Sequence, residues 1–156
     1  MKKLLVSGVM ALAAILTSPV QAATDSATVA VTINLTSKCV FGTMNAVVFN
    51  YTSFQTTAAT ASGGTFNMKC TNTLPYKIGF TNVATPATTD AVTDNAVNLA
   101  YTLGLSATTG TGSGVDQAYT VTGTMALGQS GTCATAGGAC TNSAATNKTR
   151  TIYVVY

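Results

Sequence analysis

The chain contains no histidine, and that absence removes most acid–base chemistry at the outset. Ser–His and Cys–His nucleophile pairs need an imidazole, so neither is available. Charge is scarce as well, at 7% of residues. The acids number four, Asp25, Asp90, Asp94 and Asp116. Asp90 and Asp94 are close in sequence, but ATPATTDAVTDNA around them reads as a solvated polar loop. Basic residues do not cluster as a nucleic-acid footprint requires. No glycine-rich stretch leads into a lysine and a helix, so GTGSG at 110–114 reads as a flexible turn, not a phosphate cradle. An enzyme is not expected, nor is a nucleic-acid partner or a cofactor.

Helix-period patterning is absent beyond the first residues, and long hydrophobic runs are confined to them. MKK, then LLVSGVMALAAIL, then TSPVQA gives a basic start, a short apolar stretch and a small-residue cleavage site. Cleavage is expected after Ala22, making 1–22 a signal peptide. The apolar run is too short and wrongly flanked for a membrane span. Loss of Lys2 and Lys3 leaves five basic residues (Lys38, Lys69, Lys77, Lys148 and Arg150) against four acids. That is a net charge of +1, and a near-zero net charge favours association.

Four cysteines in an exported chain read as two disulfides. Three pairings are possible. Cys39–Cys70 with Cys133–Cys140 is the most economical, because the second bridge closes the short loop TCATAGGACT. On a chain-entropy argument the first contributes about 3.5–4 kcal/mol and the second about 2.5 kcal/mol. Zinc is the competing reading, but histidine is missing and C-x6-C is not a usual ligand spacing.

What remains is about 134 residues without a Pro- or charge-rich linker, which suits one domain with one core. Short alternating segments recur along it, separated by Thr, Gly, Ser and Asn. NAVVFNYTSF (45–54), GTFNMKC (64–70), PYKIGF (75–80), NLAYTLGL (98–105), AYTVTGTMAL (118–127) and TIYVVY (151–156) are the expected strands. Gly123 marks a bulge or a close approach inside one of them. An antiparallel β-sandwich is the expected fold, with most of the aromatic residues in its core.

Two terminal segments do not fit a self-contained sandwich. SATVAVTINLTSKC (26–39) alternates Val29, Val31, Ile33 and Leu35 against Thr28, Ala30, Thr32 and Asn34. TIYVVY is apolar on both faces, with Ile152, Val154 and Tyr156 on one and Tyr153 and Val155 on the other. Two such edges are an aggregation hazard unless paired. They pair with each other in one chain, or across chains by strand addition.

An alternating strand ending in Cys (VAVTINLTSKC) is followed by VVFNYTSF, then by TFNMKCTNTLPYKIGF, NLAYTLGL, VTGTMALGQ and TRTIYVVY. In that order these segments resemble the spore coat protein U family, which includes the pilin subunits of archaic chaperone–usher pili. The resemblance implies an incomplete immunoglobulin-like β-sandwich, residues 39–156, that lacks its last strand. It implies that residues 23–38 are a donor segment, with Val29, Val31, Ile33 and Leu35 filling a neighbour's groove. Ile152, Val154 and Tyr156 would face that groove and contact a periplasmic chaperone, and Cys39–Cys70 would be the family's disulfide. The implied partners are identical or related subunits, the chaperone and an outer-membrane usher, and the implied location is the cell surface. The Cys133–Cys140 loop departs from the family pattern. The alternative reading of the residues is a monomeric secreted coat or surface-binding sandwich.

Overall fold

The computed structural model describes residues 23–81, 84–142 and 148–156. The signal peptide expected at 1–22 lies outside them. The chain divides into two units, residues 1–34 and residues 35–156. Residues 23–34 of the first have no regular secondary structure.

The second unit is all-β. Its described residues form β1 (Cys39–Met44), β2 (Val47–Val48), β3 (Ala59–Thr60), β4 (Ser62–Gly63), β5 (Thr65–Cys70), β6 (Pro75–Phe80), β7 (Thr89–Asp94), β8 (Leu99–Leu105), β9 (Thr109–Thr111), β10 (Gln117–Met125) and β11 (Ile152–Val155). One sheet runs β1-β5-β10-β8-β7, with β3 also on β10; a second runs β11-β6-β9; β2 and β4 make a short ribbon. Every described pairing is antiparallel.

Alternation dictates the core. In β5, Phe66, Met68 and Cys70 turn inward while Thr65, Asn67 and Lys69 face out, as the two-residue period requires. In β6, Tyr76, Ile78 and Phe80 do the same. With Leu103, Tyr119 and Val121 these residues form one buried cluster drawn from both sheets, so the sheets stack as a β-sandwich. The Phe66 and Tyr119 rings stack at 5.3 Å. The Tyr119 hydroxyl bonds to that of Tyr76, which donates in turn to Gln117 Oε1 at 3.2 Å, so both buried phenols are satisfied. Gly123 proves to be a close approach: a Cβ there would lie 2.5 Å from Phe49 Cζ.

Five of the expected strands form within two residues of their expected limits. The 45–54 segment keeps only β2, because Phe49 to Phe54 is held by side-chain bonds instead. The Tyr51 hydroxyl donates to Ala126 O at 2.9 Å and accepts from Gln129 N at 2.8 Å. Strands β3, β4, β7 and β9 arise in stretches that read as polar loops. Asp90 and Asp94 are therefore not solvated loop residues: they sit on β7 with 6% and 2% exposure. Their burial is possible because each carboxylate has fixed donors, as described below.

Candidate strand-docking edge

A sandwich has four outermost strands, and each presents unpaired backbone groups unless something blunts it. Among the described residues the ends of the two larger sheets are β1 and β7 in one, β9 and β11 in the other. Strand β7 points two carboxylates inward, a recognised way of barring further pairing. Strand β9 is only three residues long. Strand β1 breaks register between Phe41 and Met44, and such a break bends an edge away from a partner. Strand β11, Ile-Tyr-Val-Val, has no charge, no proline and no break in its register with β6.

Cover over the core stops at this edge. Ile152 lies opposite Phe80 and Val154 opposite Ile78. Phe80 and Ile78 are each 1% exposed, whereas Ile152 and Val154 pack on the same cluster yet stay half-buried. Phe41, Val47, Phe49 and Leu105 are also half-buried against that cluster. Tyr156, just past β11, is 54% exposed. The arrangement is an apolar ledge on a strand whose outer side pairs with no other strand among the described residues, which suits an added strand.

An ion pair stands just before the ledge. Arg150 donates through Nε to Asp90 Oδ2 at 2.5 Å and through Nη2 to Asp90 Oδ1 at 3.0 Å. That hydrogen bonding raises the guanidinium pKa further above its usual value. Tyr101 lies close by, its ring 5.7 Å from that of Phe49. Burial is the main cause that pushes its hydroxyl pKa up; Arg150 opposes the shift, and Asp94 and Asp90 add to it. Asp94 Oδ1 accepts from the Ala96 and Val97 amides at 2.9 and 3.2 Å, while its Oδ2 is buried with no partner among the described residues.

The expected site residues are placed as follows. Cys39 and Cys70 are bonded across the β1–β5 pair, and Cys133 and Cys140 are bonded in an exposed loop. Ile152 and Val154 lie on the core face of β11. Val29, Val31, Ile33 and Leu35 are 85, 74, 84 and 81% exposed, and residues 26–36 belong to no strand. Alternation specifies the two faces of a strand but supplies no partner, and a strand forms only when paired.

Two contributors escaped the sequence reading. The Arg150–Asp90 pair spans 60 residues, and no local pattern announces it. Gln129, in the GQ of VTGTMALGQ, accepts from Ala100 N at 2.6 Å and donates to Ala100 O at 2.9 Å. Its amide thus imitates a strand neighbour at the start of β8, and nothing local in the sequence announces that pairing.

The described residues define an all-β, disulfide-bonded sandwich with an uncharged, apolar edge strand. Two disulfides fit an extracytoplasmic protein, and no helix among the described residues is long and apolar enough to cross a membrane. No family model matches the chain, and no curated protein or solved structure does either.

Proposed function

We propose that the protein is a structural fibre subunit, a pilin, that polymerises by strand exchange. Residues 24–36 of one copy add to β11 of the next, with Val29, Val31, Ile33 and Leu35 over the open core. The observation that carries this reading is the change across one strand pair, where Phe80 and Ile78 are fully covered and Ile152 and Val154 only half so. The exposed alternating segment supplies a complementary row. Burying its four apolar side chains contributes about 1.5–3 kcal/mol each, or roughly 6–12 kcal/mol before ordering costs. That is comparable to the net stability of a whole domain, enough for long-lived contacts.

The resemblance to chaperone–usher subunits extends the reading. A periplasmic chaperone holds the ledge before assembly, an outer-membrane usher exchanges it for the next subunit, and the fibre stands at the cell surface. The role is architectural and requires no catalysis.

Gel electrophoresis of the exported protein, unheated and boiled, tests it. A ladder that collapses on boiling is expected. A single monomer band in both lanes, from protein soluble without a chaperone, would refute the reading in favour of a monomeric coat protein.

A further inference from the structure

Strand β11 has a register problem. Its two faces are Ile152 with Val154 and Tyr153 with Val155, and all four residues are half-buried. A one-residue slip along β6 would exchange the faces, and hydrophobicity alone discriminates weakly between them. A strand without a polar face lacks the contrast between core and solvent sides that normally penalises a slip.

We infer that the Arg150–Asp90 pair fixes the register of β11 and so decides which face of it meets an incoming strand. Arg150 lies two residues before β11, and its side chain reaches the inward Asp90, on the core side that Ile152 and Val154 also face. Its guanidinium reaches Asp90 by two hydrogen bonds, at 2.5 and 3.0 Å. Asp90 is an inward residue of β7, in the opposite sheet, and lies beside core Leu103. The pair therefore ties the start of one sheet's edge to the other sheet. After a slip, Arg150 would turn away and leave the Asp90 carboxylate buried without its cation, an expensive state. The two-pronged geometry matters, since a planar guanidinium matches a carboxylate where an ammonium does not. A buried ion pair is weak evidence for stability, and fixing register is its best-attested use. Arg150 and Asp90 are thus positioning residues, and the inference rests on the docking reading only for its consequence.

The test uses the full chain carrying Ile33→Asp, which keeps it monomeric under the docking reading, and reads cross-strand proton contacts by NMR. The parent should show Ile152 against Phe80 and Val154 against Ile78, together with Phe66 against Tyr119 in the other sheet. Arg150→Met and Asp90→Asn should each lose or double the β11–β6 contacts while Phe66–Tyr119 persists, and Arg150→Lys should rescue only part of them. One unchanged set of β11–β6 contacts in both variants would overturn the inference. Joint loss of contacts in both sheets would overturn it too, making the pair a general stabiliser. A synthetic peptide of residues 24–36, added to the parent, separates the two claims. If it leaves β11 resonances unmoved, docking fails, whereas the register claim still stands or falls on the contacts.

Discussion

Replacing Ile33 separates assembly from folding. Its side chain is 84% exposed, so truncation removes almost nothing from the folded subunit. Under the docking reading, nearly all of that surface becomes buried in a neighbour. Ile33→Ala deletes three carbons, each worth about 0.8 kcal/mol when buried, hence about 2–2.5 kcal/mol in all. At 1.4 kcal/mol per factor of ten, that is roughly a 30- to 60-fold loss in association constant. Ile33→Asp goes further, because a carboxylate placed against the apolar Ile152 and Val154 loses its hydration, and polymers should disappear. The assay has two arms. Fluorescence anisotropy of labelled 24–36 peptides, wild-type and Ala-substituted, against the Ile33→Asp chain gives the ratio of affinities. Thermal unfolding of the Ile33→Ala chain gives subunit stability, expected within about 0.5 kcal/mol of the parent. Equal affinities for the two peptides, or a subunit destabilised by more than about 1 kcal/mol, would refute the reasoning.

Other expectations follow from the packing. The Cys133–Cys140 bridge is exposed whereas Cys39–Cys70 is buried, so mild reductant should open the former first, seen by alkylation and peptide mass. Replacing Cys39 and Cys70 together by Ser should cost more stability than replacing the other pair, about 3.5–4 against about 2.5 kcal/mol on loop length, measured by denaturant unfolding. Gly123→Ala sets a methyl group 2.5 Å from Phe49 Cζ and 3.0 Å from Ala61 Cβ, and the overpacking should cost about 1–3 kcal/mol in the same assay. Burial first, then the hydrogen bond to Tyr76, pushes the Tyr119 hydroxyl pKa well above its usual value of 10.0. The unfolded chain therefore releases this proton before the folded one does. Its contribution is complete below about pH 10 and declines as pH rises beyond that. Tyr119→Phe should flatten the alkaline fall in melting temperature, and an unchanged slope would refute the assignment.

Strands β5, β6 and β10 were legible because their inward positions hold Phe66, Met68, Ile78, Phe80, Tyr119 and Val121, so period two is plain. Strand β7 was not, because its inward positions are Asp90, Val92 and Asp94 and its outward ones Thr and Ala. A strand whose core face is charged looks like a loop to any hydrophobicity argument. Strand β1 was hidden by its own irregularity, since the break after Phe41 destroys the alternation. The ledge was half legible. Ile152 and Val154 stood out by pattern, but their cation does not: Asp90 and Arg150 meet only through the stacking of two sheets. Tyr51 and Gln129 were likewise visible as residues and invisible as partners.

The docking reading places a register requirement on both strands, and the donor meets its share by composition alone. Its second face is Thr28, Ala30, Thr32 and Asn34, so a slip of one residue would set hydroxyls and an amide over the open core. A slip of two keeps the apolar face and must be judged by magnitude. In one direction Ala27, Val29, Val31 and Ile33 replace the original four, losing Leu35 for Ala27. Three buried carbons are forfeited, about 2.4 kcal/mol, or roughly 60-fold in affinity. In the other direction Ser37 enters for Val29, adding an unpaired hydroxyl to the lost apolar area. Segment 24–36 thus has a single best register, flanked on both sides by alternatives weaker by more than a factor of ten. The acceptor strand, apolar on both faces, has no such internal discrimination and needs a charged tie from outside itself.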